Sequence, residues 1–255
     1  MKLTVHQLGS GSSGNLTAVA GPEGVLLVDA GFPAREVQRR LALVGLGAGD
    51  VRALVLTHAH LDHSRGAALL SRRLRIPLWA TPWTLKNLRG LKGGETLHAF
   101  PESAPAHLAG LAVETCPVSH DVPGTVILRI AGLLGVATDL GAVTPEVSAF
   151  LTGLSGLLLE FNHDEELLRG GPYPVWLQDR ILSDQGHLAN AQAAELLRSR
   201  AFAPPSRALW LAHMSAHNNR PERALAAAAA ALGSQGPELL LAEQDAPTGP
   251  IALCS

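Results

Sequence analysis

The stretch Thr57-His58-Ala59-His60-Leu61-Asp62-His63 decides the fold of this 255-residue chain. It directly follows residues 51–56, an apolar run with the length and composition of a buried β-strand. His58 and His60 are two residues apart, so an extended backbone directs both imidazoles to one side, whereas Asp62 and His63 begin the next turn. Imidazole and carboxylate ligands suit Zn, Mn or Fe. A histidine-rich surface loop is the alternative, and the position at the end of a buried strand argues against it.

Three further polar residues, His120, Asp139 and His213, end apolar runs downstream. Each alone is more typical of a structural polar residue at a strand end. Together they are what loops converging on one edge of a sheet would bring to the histidine motif. Asp139 is the natural bridge, because one carboxylate can hold two cations about 3.5–4 Å apart. The sequence therefore predicts a site for two divalent metal ions, manganese or zinc.

Composition restricts the class of protein. Apolar residues make up 47% of the chain and charged residues 16%, which is ample for a buried core. The two cysteines, Cys116 and Cys254, are far apart, which excludes a disulfide framework and a cysteine-rich zinc site. The first residues lack the apolar segment of a signal peptide, and no apolar run approaches the roughly 20 residues of a membrane span. We expect a soluble, cytoplasmic protein.

The net charge of −2 conceals a basic segment at residues 33–92, which holds 11 Lys or Arg against 3 Asp or Glu. A local basic face can attract a polyanion although the rest of the chain is acidic. A solvated helix surface is the simpler interpretation of the same charges. The basic residues include Arg35, Arg39, Arg40, Arg65, Arg72, Arg73, Arg75, Lys86, Arg89 and Lys92.

Hydrophobic periodicity predicts two similar halves. In the first half, strands at residues 3–8, 16–20, 24–29, 51–56 and 76–80 are interrupted by helices at 35–44 and 66–74. In the second half, strands at 112–117, 125–130, 134–139, 154–160 and 208–212 accompany helices at 143–151, 189–199 and 221–232. This pattern favours an α+β fold, a four-layer αββα sandwich of two mixed β-sheets. No composition break suggests a linker, so residues 1–255 are predicted to form a single domain.

The histidine motif, with Asp29 at the end of an earlier strand, resembles the metallo-β-lactamase superfamily. Within it, the sequence is similar to the YycJ/WalJ subfamily over residues 2 to about 232. The segments that carry this closer resemblance are Ser10-Gly11-Ser12-Ser13-Gly14-Asn15, Val118-Ser119-His120-Asp121, Glu160-Phe161-Asn162-His163-Asp164, Gly186-His187-Leu188-Ala189-Asn190, and Ala212-His213-Met214-Ser215 with Asn218-Asn219. Members of that group are described as DNA exonucleases that work from 5′ ends with divalent metal ions.

The resemblance implies a role for each site residue. One metal ion would be held by His58, His60 and His120, and the other by Asp62, His63 and His213, with Asp139 as the bridge. Asp29 would orient a ligand histidine from behind. His187 would protonate the leaving oxygen, Glu160 would position His187, and Asp62 would also accept a hydrogen bond from the attacking hydroxide.

Candidate substrate contacts are less specific. The turn containing Ser12, Ser13 and Asn15 offers backbone N–H groups and hydroxyls that can hold phosphate, although an ordinary tight turn has the same composition. Further candidates are His163, Arg180, Asn190, Ser215, Asn218 and Asn219. Ala189 stands where the subfamily pattern has serine, which removes one hydroxyl. No insertion corresponds to the tRNA-binding arm of the tRNA-processing relatives, which disfavours tRNA as the substrate.

We therefore expect a metal-dependent phosphodiesterase that acts on nucleic acid, DNA rather than RNA, most specifically a 5′ exonuclease that uses a hydroxide activated by two metal ions. One alternative is a small-ester hydrolase, a glyoxalase II-like thioesterase or a lactonase, which would lack the pair formed by His187 and Glu160. Another is a phosphodiesterase for cyclic nucleotides or cyclic phosphates. A noncatalytic binding module would not need seven metal-type ligands at strand ends.

Overall fold

The computed structural model describes residues 1–101 and 104–254, and its first β-sheet has seven strands. These are β1 (Lys2–Gly9), β2 (Leu16–Gly21), β3 (Gly24–Val28), β4 (Val51–Val55), β5 (Pro77–Ala80), β6 (Thr96–Ala99) and β14 (Thr248–Cys254), in the order β14-β1-β2-β3-β4-β5-β6. The pairs from β14 to β3 are antiparallel, and the pairs from β3 to β6 are parallel.

The second sheet repeats this pattern. Its strands are β7 (Ala106–Leu108), β8 (Leu111–Pro117), β9 (Val126–Ile130), β10 (Leu134–Ala137), β11 (Gly156–Glu160), β12 (Ala208–Ala212) and β13 (Glu238–Leu241), in the order β13-β12-β11-β10-β9-β8-β7. The pairs from β7 to β10 are antiparallel and those from β10 to β13 are parallel. The predicted similarity of the two halves is therefore confirmed in the pairing of their strands.

Helices connect the parallel strands. They are α1 (Ala34–Leu43), α2 (Leu61–Ser64), α3 (Ala67–Leu74), α4 (Pro82–Asn87), α5 (Pro145–Leu151), α6 (Glu165–Arg169), α7 (Val175–Leu182), α8 (Asn190–Arg198) and α9 (Pro221–Leu232). In α1 the buried residues Ala34, Val37 and Leu41 recur every three or four positions, which gives one apolar face. Two starts are set by capping: Thr81 and Thr144 accept backbone N–H groups of α4 and α5, each ahead of a proline.

Successive side chains of a strand point to opposite faces of its sheet, so each sheet packs against one core on its inner face and another on its outer face. In β3, Leu26 and Val28 face the other sheet, whereas Val25 and Leu27 pack against the helices outside. The second sheet has an equivalent outer core with α5, α8 and α9. Each fully buried leucine contributes about 1.5–3 kcal/mol relative to an exposed one. Helix, sheet, sheet and helix therefore form four layers, and the predicted αββα sandwich is confirmed.

Several elements were not predicted from the sequence. The four missed strands, β6, β7, β13 and β14, are mostly short and lie at or near sheet edges. Strand β14 pairs with β1, with Leu253 opposite Leu3. A local sequence pattern does not predict a contact between residues so far apart in the sequence. The helices α4, α6 and α7 were also not predicted. Among the described residues, no helix combines the length and apolar character needed to cross a membrane.

Candidate metal centre and active-site cleft

The histidine motif leaves the end of β4 and enters α2, and neighbouring loops hold it in place. The backbone oxygen of Asp62 accepts the N–H of Asn15 at 2.7 Å, and the N–H of Ala30 reaches the backbone oxygen of His63 at 2.7 Å. Gly31 lies so close that a Cβ atom on it would overlap the backbone oxygen of Asp62. The motif is therefore clamped by the loops that follow β1 and β3.

Potential ligands from three loops meet in a first cluster. The nitrogen or oxygen atoms of His58, His60, His120 and Asp139 lie within 4.8 Å of one another. His58 and His60 follow β4 of the first sheet, whereas His120 and Asp139 follow β8 and β10 of the second. Strands that run in one direction end at one edge of a sheet, so residues distant in sequence converge there.

A second cluster consists of Asp62, His63 and His213. Nε2 of His213 lies 3.4 Å from Oδ2 of Asp62, and Nε2 of His63 lies 3.5 Å from the same oxygen. Asp139 lies between the two clusters: its Oδ2 is 3.0 Å from Nε2 of His63, and its Oδ1 is 3.6 Å from Nε2 of His120. The structure thus brings together the seven residues that the sequence grouped.

The donor atoms fit divalent cations. Nε2 of His58 and Nε2 of His120 are buried and have no hydrogen-bond partner among the described residues. A buried polar atom without a partner costs about 1–3 kcal/mol, so such atoms are rarely left without a counterpart. Two imidazole nitrogens facing a carboxylate are the donor set that zinc and manganese accept. The two clusters are therefore suited to metal ions.

The opposite nitrogen of three of these histidines is held by the surrounding structure. Nδ1 of His63 is 2.7 Å from Oδ2 of the buried Asp29, whose Oδ1 also accepts the N–H of Thr57 at 2.8 Å. Nδ1 of His120 lies 3.2 Å from the backbone oxygen of Gly186, and Nδ1 of His213 lies 3.3 Å from Oε1 of Glu160. Such contacts orient the three rings and direct each Nε2 towards the carboxylates of the clusters.

The histidines of the two clusters differ in the direction of their pKa shifts. Burial lowers the pKa of His58, His60 and His120, which keeps these imidazoles neutral. Burial also acts to lower the pKa of His213, but Asp139, Asp62 and Glu160 outweigh it and raise that pKa to about 10. In the metal-free protein the second cluster therefore stabilises positive charge, as a cation site should.

Three site residues have a left-handed backbone conformation. Asp29, Asp139 and His213 have φ angles of 60°, 60° and 53° and follow the ends of β3, β10 and β12. This conformation costs a non-glycine residue roughly 1–3 kcal/mol and persists where the surrounding structure imposes it. It turns each side chain out of its strand and into the site.

His187 stands beside the clusters and is held by Glu160. Nδ1 of His187 is 2.8 Å from Oε1 of Glu160. The carboxylate is fully buried, and its Oε2 accepts the N–H groups of Leu140 at 2.8 Å and Leu188 at 3.2 Å. Burial acts to raise the pKa of Glu160, but His187 and His213 outweigh it and lower that pKa to about 2. Glu160 is therefore an ionised group that orients an imidazole.

His120 and His187 line an open cleft of about 210 Å³. Its lining includes Ser12, His120, Asp121, Asn162, Tyr173, Leu177, Arg180, Ile181, Gln185, Gly186, His187 and Ser215. Three predicted substrate contacts, Ser12, Arg180 and Ser215, are among them. Ser13 is exposed next to Ser12, and its N–H donates to Gln244 at 2.9 Å.

Other predicted substrate contacts lie inside the protein. Asn15 is only 4% exposed. Its side-chain amide donates a hydrogen bond to the backbone oxygen of Gly11 and lies 2.9 Å from Nε2 of His63, so it supports the metal centre. Asn190 and Asn219 bond each other through their amides at 2.9 and 3.0 Å. Asn218 is 1% exposed, and His163 is fully buried, with no hydrogen-bond partner for either ring nitrogen in the part of the chain that the structure describes. In this structure none of these five residues is open to a substrate.

The basic segment is partly used by the fold. Arg40 is buried over the ring of Phe32 and donates to the backbone oxygen of Leu8 at 2.6 Å, so it is not part of a basic surface. Arg39 pairs with Glu36. The exposed basic residues of α1, α3, α4 and the adjoining loops are Arg35, Arg65, Arg73, Arg75, Lys86, Arg89 and Lys92.

Sequence reasoning missed several residues around the cleft. Asp121 is adjacent to His120 and contacts two histidines of the first cluster. Asn162 donates to the backbone oxygen of His213 at 2.8 Å. Trp176 is 67% exposed on α7. Asp121 and Asn162 lie in segments that already contained predicted site residues, so their neighbours were a usable signal. Nothing in the sequence indicated that Trp176 would be exposed on α7, one turn before Arg180.

Comparison with known proteins agrees with this geometry. Residues 9–144 match the model of the metallo-beta-lactamase superfamily. The chain is 31% identical to the exodeoxyribonuclease YycJ of Bacillus anthracis, covering 92% of this chain and 91% of that protein. It is 32% identical to the exodeoxyribonuclease WalJ of Streptococcus pneumoniae, covering 85% and 83% respectively.

Among solved structures, the metallo-beta-lactamase fold protein YhfI from Bacillus subtilis has a TM-score of 0.72 at 17% identity, covering 97% of this chain and 99% of that one. A sequence identity of 17% shows only that the fold is shared. The family is shown by the two exodeoxyribonucleases, which are more similar in sequence. The chain is a metal-dependent hydrolase of the metallo-β-lactamase superfamily and belongs, within it, to the family of YycJ and WalJ.

Proposed function

We propose that this hydrolase is a nuclease that cleaves phosphodiester bonds of DNA, removing nucleotides from a 5′ end. The observation that carries the proposal is the pair formed by His187 and Glu160, which lies against the metal clusters and opens onto the cleft. A proton donor held in this way is needed when the leaving group is an alkoxide, as in a nucleic acid. The two relatives named as exodeoxyribonucleases support DNA as the substrate.

The proposed reaction uses two divalent metal ions, manganese or zinc. We assign His58, His60 and His120 to one ion and Asp62, His63 and His213 to the other, with Asp139 shared between them. Asp29 positions His63 through the 2.7 Å contact to Nδ1. When bound, such ions lower the pKa of water and neutralise charge that develops on a phosphate oxygen.

The protein's own groups have distinct tasks in this reaction. His187 acts as the imidazolium: its Nδ1–H stays hydrogen-bonded to Glu160, and its Nε2–H gives the proton to the departing 3′ oxygen, which leaves the ring neutral. Asp62, on the rim of the second cluster, accepts a hydrogen bond from the attacking nucleophile. Ser12, Arg180 and Ser215 line the cleft and contact the phosphate backbone.

An exposed aromatic ring favours nucleic acid over a small phosphodiester. Trp176 is 67% exposed and precedes Arg180 by four residues in α7, so both side chains lie on one side of that helix. Arg180 lines the cleft. A ring at this position can stack on a nucleobase while the adjoining phosphate is cleaved, an interaction worth about 1–3 kcal/mol per base. A cyclic phosphate without a nucleobase cannot use such a ring, and a cyclic mononucleotide offers only its own base.

A nuclease assay tests the proposal. The metal-free protein is reconstituted with Mn²⁺, Zn²⁺ or Mg²⁺. It is then given end-labelled single-stranded and duplex DNA, the same RNA sequence, bis-p-nitrophenyl phosphate, a thioester and a lactone. We expect release of nucleotides from the 5′ end of DNA. Hydrolysis of the small diester without any cleavage of linear DNA or RNA would instead support a small-molecule phosphodiesterase. Hydrolysis of thioesters or lactones alone would support the glyoxalase II-like alternative.

We further propose that residues 1–255 act as one domain, because the metal clusters combine residues from both sheets. A cytoplasmic location remains a prediction from the sequence.

A further inference from the structure

We propose that Asp121 is an additional ligand of the metal ion at His58, His60 and His120, and that it binds through its Oδ1 atom. This rests on the proposed metal site but not on the identity of the substrate. Asp121 follows His120 directly, in the loop between β8 and β9. Its side chain is 18% exposed, and it lines the cleft on the side of Arg180.

Interatomic distances place Oδ1 of Asp121 with the ligand atoms. It lies 3.3 Å from Nε2 of His60 and 3.3 Å from Nε2 of His120. Two neighbouring ligands bound to one ion at about 2.0–2.2 Å, with angles between about 90° and 109°, are about 2.8–3.6 Å apart. The separation between Nε2 of His120 and Oδ1 of Asp139 is similar, at 3.6 Å. Asp121 therefore has the spacing expected of a ligand that shares the ion of this cluster.

Hydrogen bonding does not explain this arrangement. Oδ1 of Asp121 is buried and has no hydrogen-bond partner among the described residues, as is also true of Nε2 of His120. Nδ1 of His120 lies 3.2 Å from the backbone oxygen of Gly186, an acceptor, so the ring proton lies on Nδ1 and Nε2 presents a lone pair. A lone pair facing a carboxylate oxygen at 3.3 Å is repulsive unless a cation lies between them.

The second oxygen of the Asp121 carboxylate already has a cationic partner. The arginine Arg180 pairs with the other carboxylate oxygen, Oδ2. One oxygen thus has a cationic partner outside the cluster, and the other is left for a metal ion.

The inference changes the expected character of this metal site. With Asp121 and the shared Asp139, the three histidines become part of a set of five protein ligands. A larger set with two carboxylates suits manganese, which prefers six ligands and oxygen donors, better than tetrahedral zinc. It also connects Arg180, at the mouth of the cleft, to the metal through a single carboxylate.

The test compares metal binding by D121N with that of two control variants. R180Q keeps the carboxylate and removes its arginine. D164N changes an aspartate that pairs with Arg223 at 2.7 Å, as Asp121 pairs with Arg180, but outside the clusters. Calorimetric titration of each metal-free protein with Mn²⁺ and Zn²⁺ gives affinity and stoichiometry. Substitution with Co²⁺ gives visible absorption, whose intensity rises when the coordination number falls. Circular dichroism of the metal-free proteins verifies folding.

We expect D121N to lose at least about tenfold in affinity at one of two sites, more for Mn²⁺ than for Zn²⁺, and to show stronger Co²⁺ absorption. D164N should retain two sites with affinities within about threefold of wild type. R180Q keeps the ligand oxygen and should lose less affinity than D121N. Unchanged affinity and absorption in D121N would overturn the proposal, as would an equal loss in D164N. Failure to cleave DNA would affect the proposed function only, because no readout here depends on the substrate.

Discussion

Nδ1 of His187 lies 2.8 Å from Oε1 of Glu160, a carboxylate with no exposed surface. The same oxygen lies 3.3 Å from Nδ1 of His213. One buried carboxylate thus connects the proposed proton donor to a proposed metal ligand. Because backbone N–H groups of Leu140 and Leu188 hold the other oxygen, the distance between proton donor and metal centre is fixed by the second sheet.

Replacement of the proposed proton donor should affect substrates according to their leaving group. We expect H187A to lower kcat on DNA by about 10²–10⁴-fold, because an alkoxide leaves poorly without a proton. p-Nitrophenolate leaves as the anion, so the loss on bis-p-nitrophenyl phosphate should be much smaller. Steady-state kinetics on both substrates, with metal content measured by atomic emission, test this. Equal losses on the two substrates would rule out proton donation by His187.

Glu160 should make stability depend on pH in acid. Its pKa in the folded protein is about 2, below the ordinary 4.5, so its ionised form favours folding above about pH 4.5, and this contribution is lost as pH falls towards 2. We expect the metal-free wild type to lose more free energy of unfolding between pH 6 and pH 3.5 than E160Q does. Urea titrations at both pH values measure it. E195Q, changed at an exposed position of α8, should behave like wild type.

Removal of metal should lower the thermal stability of the protein. Chelation leaves the buried nitrogens of His58 and His120 without a partner, and a ligand at 100 times its Kd adds about 2.7 kcal/mol to the free energy of unfolding. We expect Tm to fall on treatment with EDTA and to return on addition of Mn²⁺ or Zn²⁺. Differential scanning calorimetry measures the change. A Tm that does not respond to either treatment would contradict the two-metal site.

The clamp on the histidine motif should tolerate no side chain at Gly31. We expect G31A to displace the backbone oxygen of Asp62 and to weaken metal binding by at least about tenfold, in the range seen when supporting groups of a metal site are lost. G49A is the matched control, because a Cβ atom on Gly49 meets nothing within 4 Å. Wild-type metal affinity in G31A would show that Gly31 does not position Asp62.

Trp176 should contribute to the cleavage of nucleic acid by stacking on a base, and not only by offering apolar surface. We expect W176A to lower kcat/KM for single-stranded DNA by about 5–100-fold relative to bis-p-nitrophenyl phosphate, the loss expected for one stacked base. W176F should recover part of the loss. Val175 is 69% exposed, as open as its neighbour but without a π face, so V175A is the matched control. An equal effect of V175A would argue against stacking.

The sequence by itself determined the chemistry and the architecture. Short continuous apolar runs define the strands, because a sheet buried on both faces needs apolar side chains for two cores, and the predicted αββα sandwich follows. The motif from His58 to His63 carries the potential metal ligands in one short segment, where residue type and spacing suffice. His120, Asp139 and His213 could be added because each ends an apolar run.

Only the tertiary structure decided how individual polar side chains are used. Asn15, Asn190 and Asn219 have the residue type of substrate contacts, yet they are buried among protein partners. Asp121 instead lies 3.3 Å from two histidines of the first cluster. The orientation of such a side chain depends on loops from both sheets and on left-handed residues such as Asp139. Contacts between distant parts of the chain fix both, and a local sequence pattern contains no record of them.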